Sequence, residues 1–165
     1  MPTSISFPGK CPNSTLIIPS SLDSYNQKVT GRWGALYVLS LDSNTLNQYS
    51  INPIDSQLWQ VNSISTGALP VAMTMVNQQF IYVANYGGDT ISGYSINNSG
   101  TTSMGLKIIG TYNISSPISL TNDGSYVYVA SYLGKSISKY QINSNGSLQL
   151  FESQSLNFTP SLIAN

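Results

Sequence analysis

Apolar and polar residues alternate along this chain in short runs with a period of two, the mark of half-buried strands, and no stretch carries the ~3.6-residue period of an amphipathic helix. The runs also recur. Leu36-Tyr37-Val38, Ile81-Tyr82-Val83 and Val127-Tyr128-Val129 superimpose, with their tyrosines 45 and 46 residues apart. Twelve residues after each stands a second tyrosine, Tyr49, Tyr94 and Tyr140, and three residues before that an aliphatic residue, Leu46, Ile91 and Ile137. A proline, Pro70, Pro117 and Pro160, opens each following unit. Self-similarity at a period of this length is the signature of a repeat architecture.

The second and third units each divide into four strands. In the second these are 70–76, 79–85, 90–96 and 106–114, separated by clusters of Asn, Gly and Ser. In the third, Asp123-Gly124 and Asn145-Gly146 accept the positive φ of tight hairpins, so the neighbouring strands run antiparallel. The second strand of a unit, Phe80-Ile81-Tyr82-Val83-Ala84 or Tyr126-Val127-Tyr128-Val129-Ala130, is hydrophobic on both faces, and both must therefore be covered. Outer strands are more polar. Four-stranded antiparallel meanders stacked face to face are propeller blades, so the expected fold is an all-β, incomplete β-propeller of about three to four blades. The blades span 35–66 (three strands), 70–114 and 117–156, with 160–165 the inner strand of a further blade. Segment 1–34 lacks the tyrosine markers, and 15–19 is its best candidate for an additional strand. An unclosed stack exposes an apolar face, so missing blades or a second copy of the chain are expected to close it.

The stretch Phe80-Ile81-Tyr82-Val83-Ala84-Asn85-Tyr86-Gly87-Gly88-Asp89-Thr90-Ile91-Ser92-Gly93-Tyr94 resembles the YVTN-type repeat, found also in lactonase-like (6-phosphogluconolactonase-type) seven-bladed propellers. Asp123-Gly124-Ser125-Tyr126-Val127-Tyr128-Val129-Ala130-Ser131 repeats it, and the resemblance runs from about Ala35 to Asn165. It implies a site at one mouth of the propeller, built from the turns between second and third strands and from the loops entering each inner strand. It further implies that enzymes of the family work there with His, Arg and acidic side chains. In this chain the entering loops, around Pro70, Pro117 and Pro160, hold no charged residue, and no catalytic residue transfers.

Composition narrows the chemistry. Among 165 residues there are six Lys plus Arg, six Asp plus Glu and no histidine, and charged residues make up 7%, far below the ~25% usual in soluble domains. The surface is one of amides and hydroxyls. Without net positive charge the chain has no field to hold phosphate backbones, which argues against nucleic acid as partner. The missing histidine removes the commonest general base and every His-dependent triad or zinc set, so neither a metal nor a cofactor is expected. A single Cys11 cannot form an internal disulfide, and no apolar run approaches the ~20 residues of a spanning helix. No signal peptide is evident, the compartment stays open, and the low-charge Ser- and Asn-rich composition would suit an extracytoplasmic protein.

The turns Ser40-Leu41-Asp42-Ser43-Asn44, Asn85-Tyr86-Gly87-Gly88-Asp89 and Ser131-Tyr132-Leu133-Gly134-Lys135 occupy aligned positions, which puts them side by side on one rim. Asp42, Asn44, Asn85, Tyr86, Asp89, Tyr132 and Lys135 are the candidate ligand-binding residues. Aromatic faces beside amides suit sugars or peptides. The favoured reading is a non-catalytic module for protein or carbohydrate recognition or scaffolding. The alternative is a lactonase-like hydrolase or a degenerate fragment of one. The strand tyrosines, Trp33 and Trp59 are expected as apolar fill, and Met73 and Met75 near the channel.

Overall fold

A computed structural model describes residues 12–18, 34–52, 55–97 and 105–164, the first of these as backbone alone. Among them twelve strands form three four-stranded antiparallel sheets, each in simple chain order. The first holds β1 (Pro12–Ile18), β2 (Gly34–Ser40), β3 (Thr45–Ile51) and β4 (Leu58–Ser65). The second holds β5 (Pro70–Val76), β6 (Phe80–Asn85), β7 (Thr90–Asn97) and β8 (Gly105–Asn113). The third holds β9 (Pro117–Asn122), β10 (Tyr126–Ser131), β11 (Ser136–Ile142) and β12 (Leu148–Ser155). All three are incomplete-propeller blades of one design, and no helix occurs among the described residues.

The repeat extends to irregularities. Between third and fourth strands the register slips at Gln48/Tyr49, Gly93/Tyr94 and Lys139/Tyr140, at equivalent places in the three blades. A bulge adds twist, and three in step give the blades a common propeller twist. Hairpin chemistry follows the turn residues: Gly124 and Gly146 adopt φ of 91° and 81°, and Asn77-Gln78 turns the second blade at 50° and 55°.

Two cores lie between the blades. One joins Tyr37, Leu39 and Leu46 of the first sheet to Ile81, Val83 and Tyr94 of the second. The other joins Val76, Tyr82 and Ile91 of the second to Leu120, Val127, Val129 and Tyr140 of the third. Strand β6 is thus buried on both faces because alternate side chains feed different cores. At ~1.5–3 kcal/mol for each fully buried large apolar side chain, this double cladding is the main drive for blades to associate.

Several expectations need correction. The first blade has a fourth strand, β1, lying at 12–18 rather than 15–19 and paired from Pro12↔Ser40 to Ile18↔Ala35. Pro12 is the overlooked sign, since Pro70 and Pro117 pair with Asn85 and Ser131 at the equivalent corner. Residues 160–164 form no strand, because a strand needs a ladder partner and the described residues offer them none. They lie against β9 instead, where the Ile163 amide donates to Ser119 Oγ at 3.2 Å. Tyr49 and Tyr128 are only half-buried: strand alternation turns each to a blade face on which no described blade packs. Trp59 sits on an outer strand, 57% exposed, rather than as fill. Met73 and Met75 flank the core between first and second blades. Cys11 and Trp33 lie outside the described residues.

Candidate ligand mouth

One end of the sheet stack gathers the turns 41–44, 86–89 and 132–135 with the linkers 66–69 and 114–116 that lead into β5 and β9. Each turn is stitched to the linker that passes it. The last turn residue has positive φ in all three blades, 52° at Asn44, 51° at Asp89 and 42° at Lys135. Its carbonyl accepts an amide from the departing outer strand: Thr66 N to Asn44 O at 2.8 Å, Ile114 N to Asp89 O at 2.9 Å, and Leu156 N to Lys135 O at 2.6 Å.

Side chains at this position complete the stitch where they can accept. Asn44 Oδ1 takes the Leu69 amide at 2.8 Å, and Asp89 Oδ1 takes the Ser116 amide at 2.7 Å. Ser116 Oγ adds a second donor to the same carboxylate oxygen at 3.3 Å. Lysine cannot accept a hydrogen bond, so the third blade relies on its backbone alone. The structure therefore brings Asn44 and Asp89 to the mouth as loop clamps. Leu69 and Ser116 themselves hold φ of 50° and 43°, a conformation costly for residues with side chains and kept only where surroundings over-determine it. These two partners were not legible from composition, although the 45- and 46-residue spacing of Asn44, Asp89 and Lys135 was the available signal.

Asn85 is wholly buried at the floor of the rim. Its Nδ2 donates to Thr90 Oγ1 at 3.1 Å and to Ser92 Oγ at 2.9 Å, while its Oδ1 has no hydrogen-bond partner among the described residues. Gly67 covers it so closely that a Cβ there would meet Asn85 Cγ at 2.7 Å. Above this floor the rings of Tyr86 and Tyr132 meet edge to face, centroids 6.3 Å apart, joining the second and third blades across the rim. Leu69, Tyr132 and Leu133 are exposed at 45%, 38% and 66%, an apolar fringe around the aromatic pair. Asp42 and Lys135 point to solvent at the same end. Among the described residues no group of three acidic, Cys or His side chains converges that could hold a metal ion.

Meander blades packed radially through their faces, with a mouth at the ends of their second strands, define a β-propeller. Residues 28–110 match the family described as lactonase, seven-bladed β-propeller, and the chain belongs to that family. No curated protein matches the sequence. Among solved structures, the periplasmic gluconolactonase of Pseudomonas aeruginosa is similar with a TM-score of 0.69 at 14% identity, over 92% of this chain and 41% of that one. A candidate 6-phosphogluconolactonase from Bacteroides uniformis gives 0.63 at 18% identity over 76% and 38%. A functionally unknown protein from Desulfotomaculum acetoxidans gives 0.61 at 20% over 79% and 40%. The chain spans about two fifths of the length of these structures, and at such identities the likeness is one of fold.

Proposed function

We propose that this chain supplies a binding arc of a lactonase-family propeller, and that its mouth recognises a neutral polyhydroxylated ring, a sugar or sugar lactone, without opening it. The observation that carries this reading is the Tyr86 and Tyr132 pair, two adjoining rings on a rim whose clamping oxygens at Asn44 and Asp89 already accept backbone amides. An apolar ring face stacks on the C–H face of a sugar, and nearby amides and hydroxyls meet its hydroxyls. The uncharged entering loops favour a neutral ligand over an anionic one.

Titration of the intact chain with gluconolactone, gluconate and methyl glucoside, followed by NMR chemical shifts of the tyrosine rings, tests it. Tyr86→Ala and Tyr132→Ala are each expected to weaken binding of the neutral rings about tenfold, the equivalent of ~1.4 kcal/mol. Unchanged affinity in both variants would overturn the reading. A second reading, lactone hydrolysis, is supported by family membership and by the exposed Asp42 at the mouth. Lactone opening that disappears in Asp42→Ala would establish it in place of the first.

A further inference from the structure

Tyr86 and Tyr132 are the first residues beyond β6 and β10, and the backbone amide of each is held by the linker that enters its own blade. Tyr86 N donates to Leu69 O and Tyr132 N to Ser116 O, both at 2.9 Å. The carbonyl one residue earlier in each linker is held by the same blade. Gly88 N donates to Ala68 O at 3.0 Å, and Ser131 Oγ donates to Ser115 O. The linker carbonyls thus face forward, onto the segment that carries the rim tyrosine.

The linker amides face back. Leu69 N reaches Asn44 Oδ1 at 2.8 Å and Ser116 N reaches Asp89 Oδ1 at 2.7 Å, and both acceptors belong to the preceding blade. Leu69 and Ser116 therefore bridge two blades through a single residue. Each stands directly before a proline, which biases it toward extended backbone, and a left-handed φ of 50° or 43° opposes that bias. Hydrogen bonds on both sides of the Cα hold it there. Without the acceptor for its amide, the residue relaxes toward extended backbone and its carbonyl turns away from the tyrosine amide.

The effect reaches the rings. An edge-to-face pair with centroids 6.3 Å apart and planes at 67° depends on where both tyrosine backbones are fixed. Leu69 also lies so close to the turn after Tyr86 that a Cβ at Gly87 would meet Leu69 Cδ1 at 2.8 Å, so moving residue 69 moves that turn.

We propose that Asn44 and Asp89 are positioning residues for the aromatic pair, each acting from one blade on the tyrosine of the next. Asn44 acts through Leu69 on Tyr86, and Asp89 acts through Ser116 on Tyr132. An oxygen that accepts the linker amide is the whole requirement, which is why a carboxamide serves in one blade and a carboxylate in the next. The consequence for binding rests on the reading that the pair stacks on a neutral sugar ring. On that reading the two residues set affinity without touching the sugar.

Nuclear Overhauser contacts between the Tyr86 and Tyr132 rings, recorded on the intact chain with isotopically labelled tyrosine and no ligand, test the positioning. Asp89→Ala and Asn44→Ala are each expected to abolish the ring contact, and Asp89→Asn and Asn44→Asp to keep it. Gly124→Ala, in the turn before β10 and so at the end of that strand remote from Tyr132, is expected to keep it as well, which separates positioning from lost stability. For methyl glucoside, the two alanine variants are expected to raise the dissociation constant about fivefold, and the two exchanges of amide and carboxylate less than about twofold. A ring contact that survives in both alanine variants, or that vanishes in Asp89→Asn and Asn44→Asp alike, would overturn the inference. Undiminished affinity where the contact is lost, or no binding by the native chain, would overturn the sugar reading instead, and the ring contact alone would then decide the positioning.

Discussion

Replacing Gly146 with alanine isolates the energy that holds the second and third blades together. Two costs apply at this site. The backbone lies at φ 81°, where an L-residue with a Cβ pays ~1–2 kcal/mol. The new methyl would also lie 2.5 Å from the Phe80 ring and 2.8 Å from Ile109, and forcing an extra carbon into a packed junction costs ~1–3 kcal/mol. Together they predict a loss of about 2–5 kcal/mol, a large share of the 5–15 kcal/mol typical of whole domains. Gly124 supplies the control. Its φ is 91°, yet a Cβ there has open space, with Asn77 Oδ1 nearest at 3.8 Å. Gly124→Ala should therefore show the backbone cost alone, about 1–2 kcal/mol. Urea unfolding followed by far-ultraviolet circular dichroism reads both, the midpoint carrying the change and the slope staying constant. Equal losses in the two variants, to within ~0.5 kcal/mol, would mean that the turn at Gly146 does not pack against Phe80 and Ile109, and the account of blade packing would fail.

Three further outcomes are expected. Asp123 has its pKa held below the ordinary 3.8 by the Ser125 amide first, then by the Tyr128 hydroxyl and the Tyr126 amide. Its carboxylate thus contributes stability that is present above pH 3.8 and lost as the pH falls through the lowered value, and Asp123→Asn should flatten the acid limb of a stability-versus-pH curve. Burial pushes the Tyr37 phenol up to about 12, a rise that a hydrogen bond from Gln48 partly offsets. Its contribution is complete below pH 10.0 and declines as the pH climbs to about 12, so Tyr37→Phe should make the alkaline decline shallower, read from the urea midpoint. Asp89→Ala frees the amide of Ser116 and should cost about 1 kcal/mol, whereas the exposed Asp42→Ala should stay within ~0.5 kcal/mol, both measured by thermal unfolding.

The turn clamps show where residue patterns stop being informative. Asn44 and Asp89 are visible as aligned polar residues, but their partners Leu69 and Ser116 lie 25 and 27 residues away along the chain, and only the folded rim brings each pair together. Trp59 is apolar and strand-borne, which reads as core. An outermost strand has fewer neighbours to cover it, so more than half of its surface remains in water. Strand β1 escaped its proper boundaries because inner strands carry no marker tyrosine in any blade, and only the opening proline identifies them.

Chemistry of single residues and their periodicity were enough to establish antiparallel strands, four to a blade, and blades clad on both sides. Those properties follow from local alternation and from a repeat that must bury the same face each time. Tertiary structure alone decided which tyrosines are core and which stay half-buried, since Tyr82 and Tyr128 are equivalent in the chain and differ in whether another described blade lies against them. It also decided that the two rim tyrosines Tyr86 and Tyr132 touch. Such relations depend on distances between segments that no local pattern encodes.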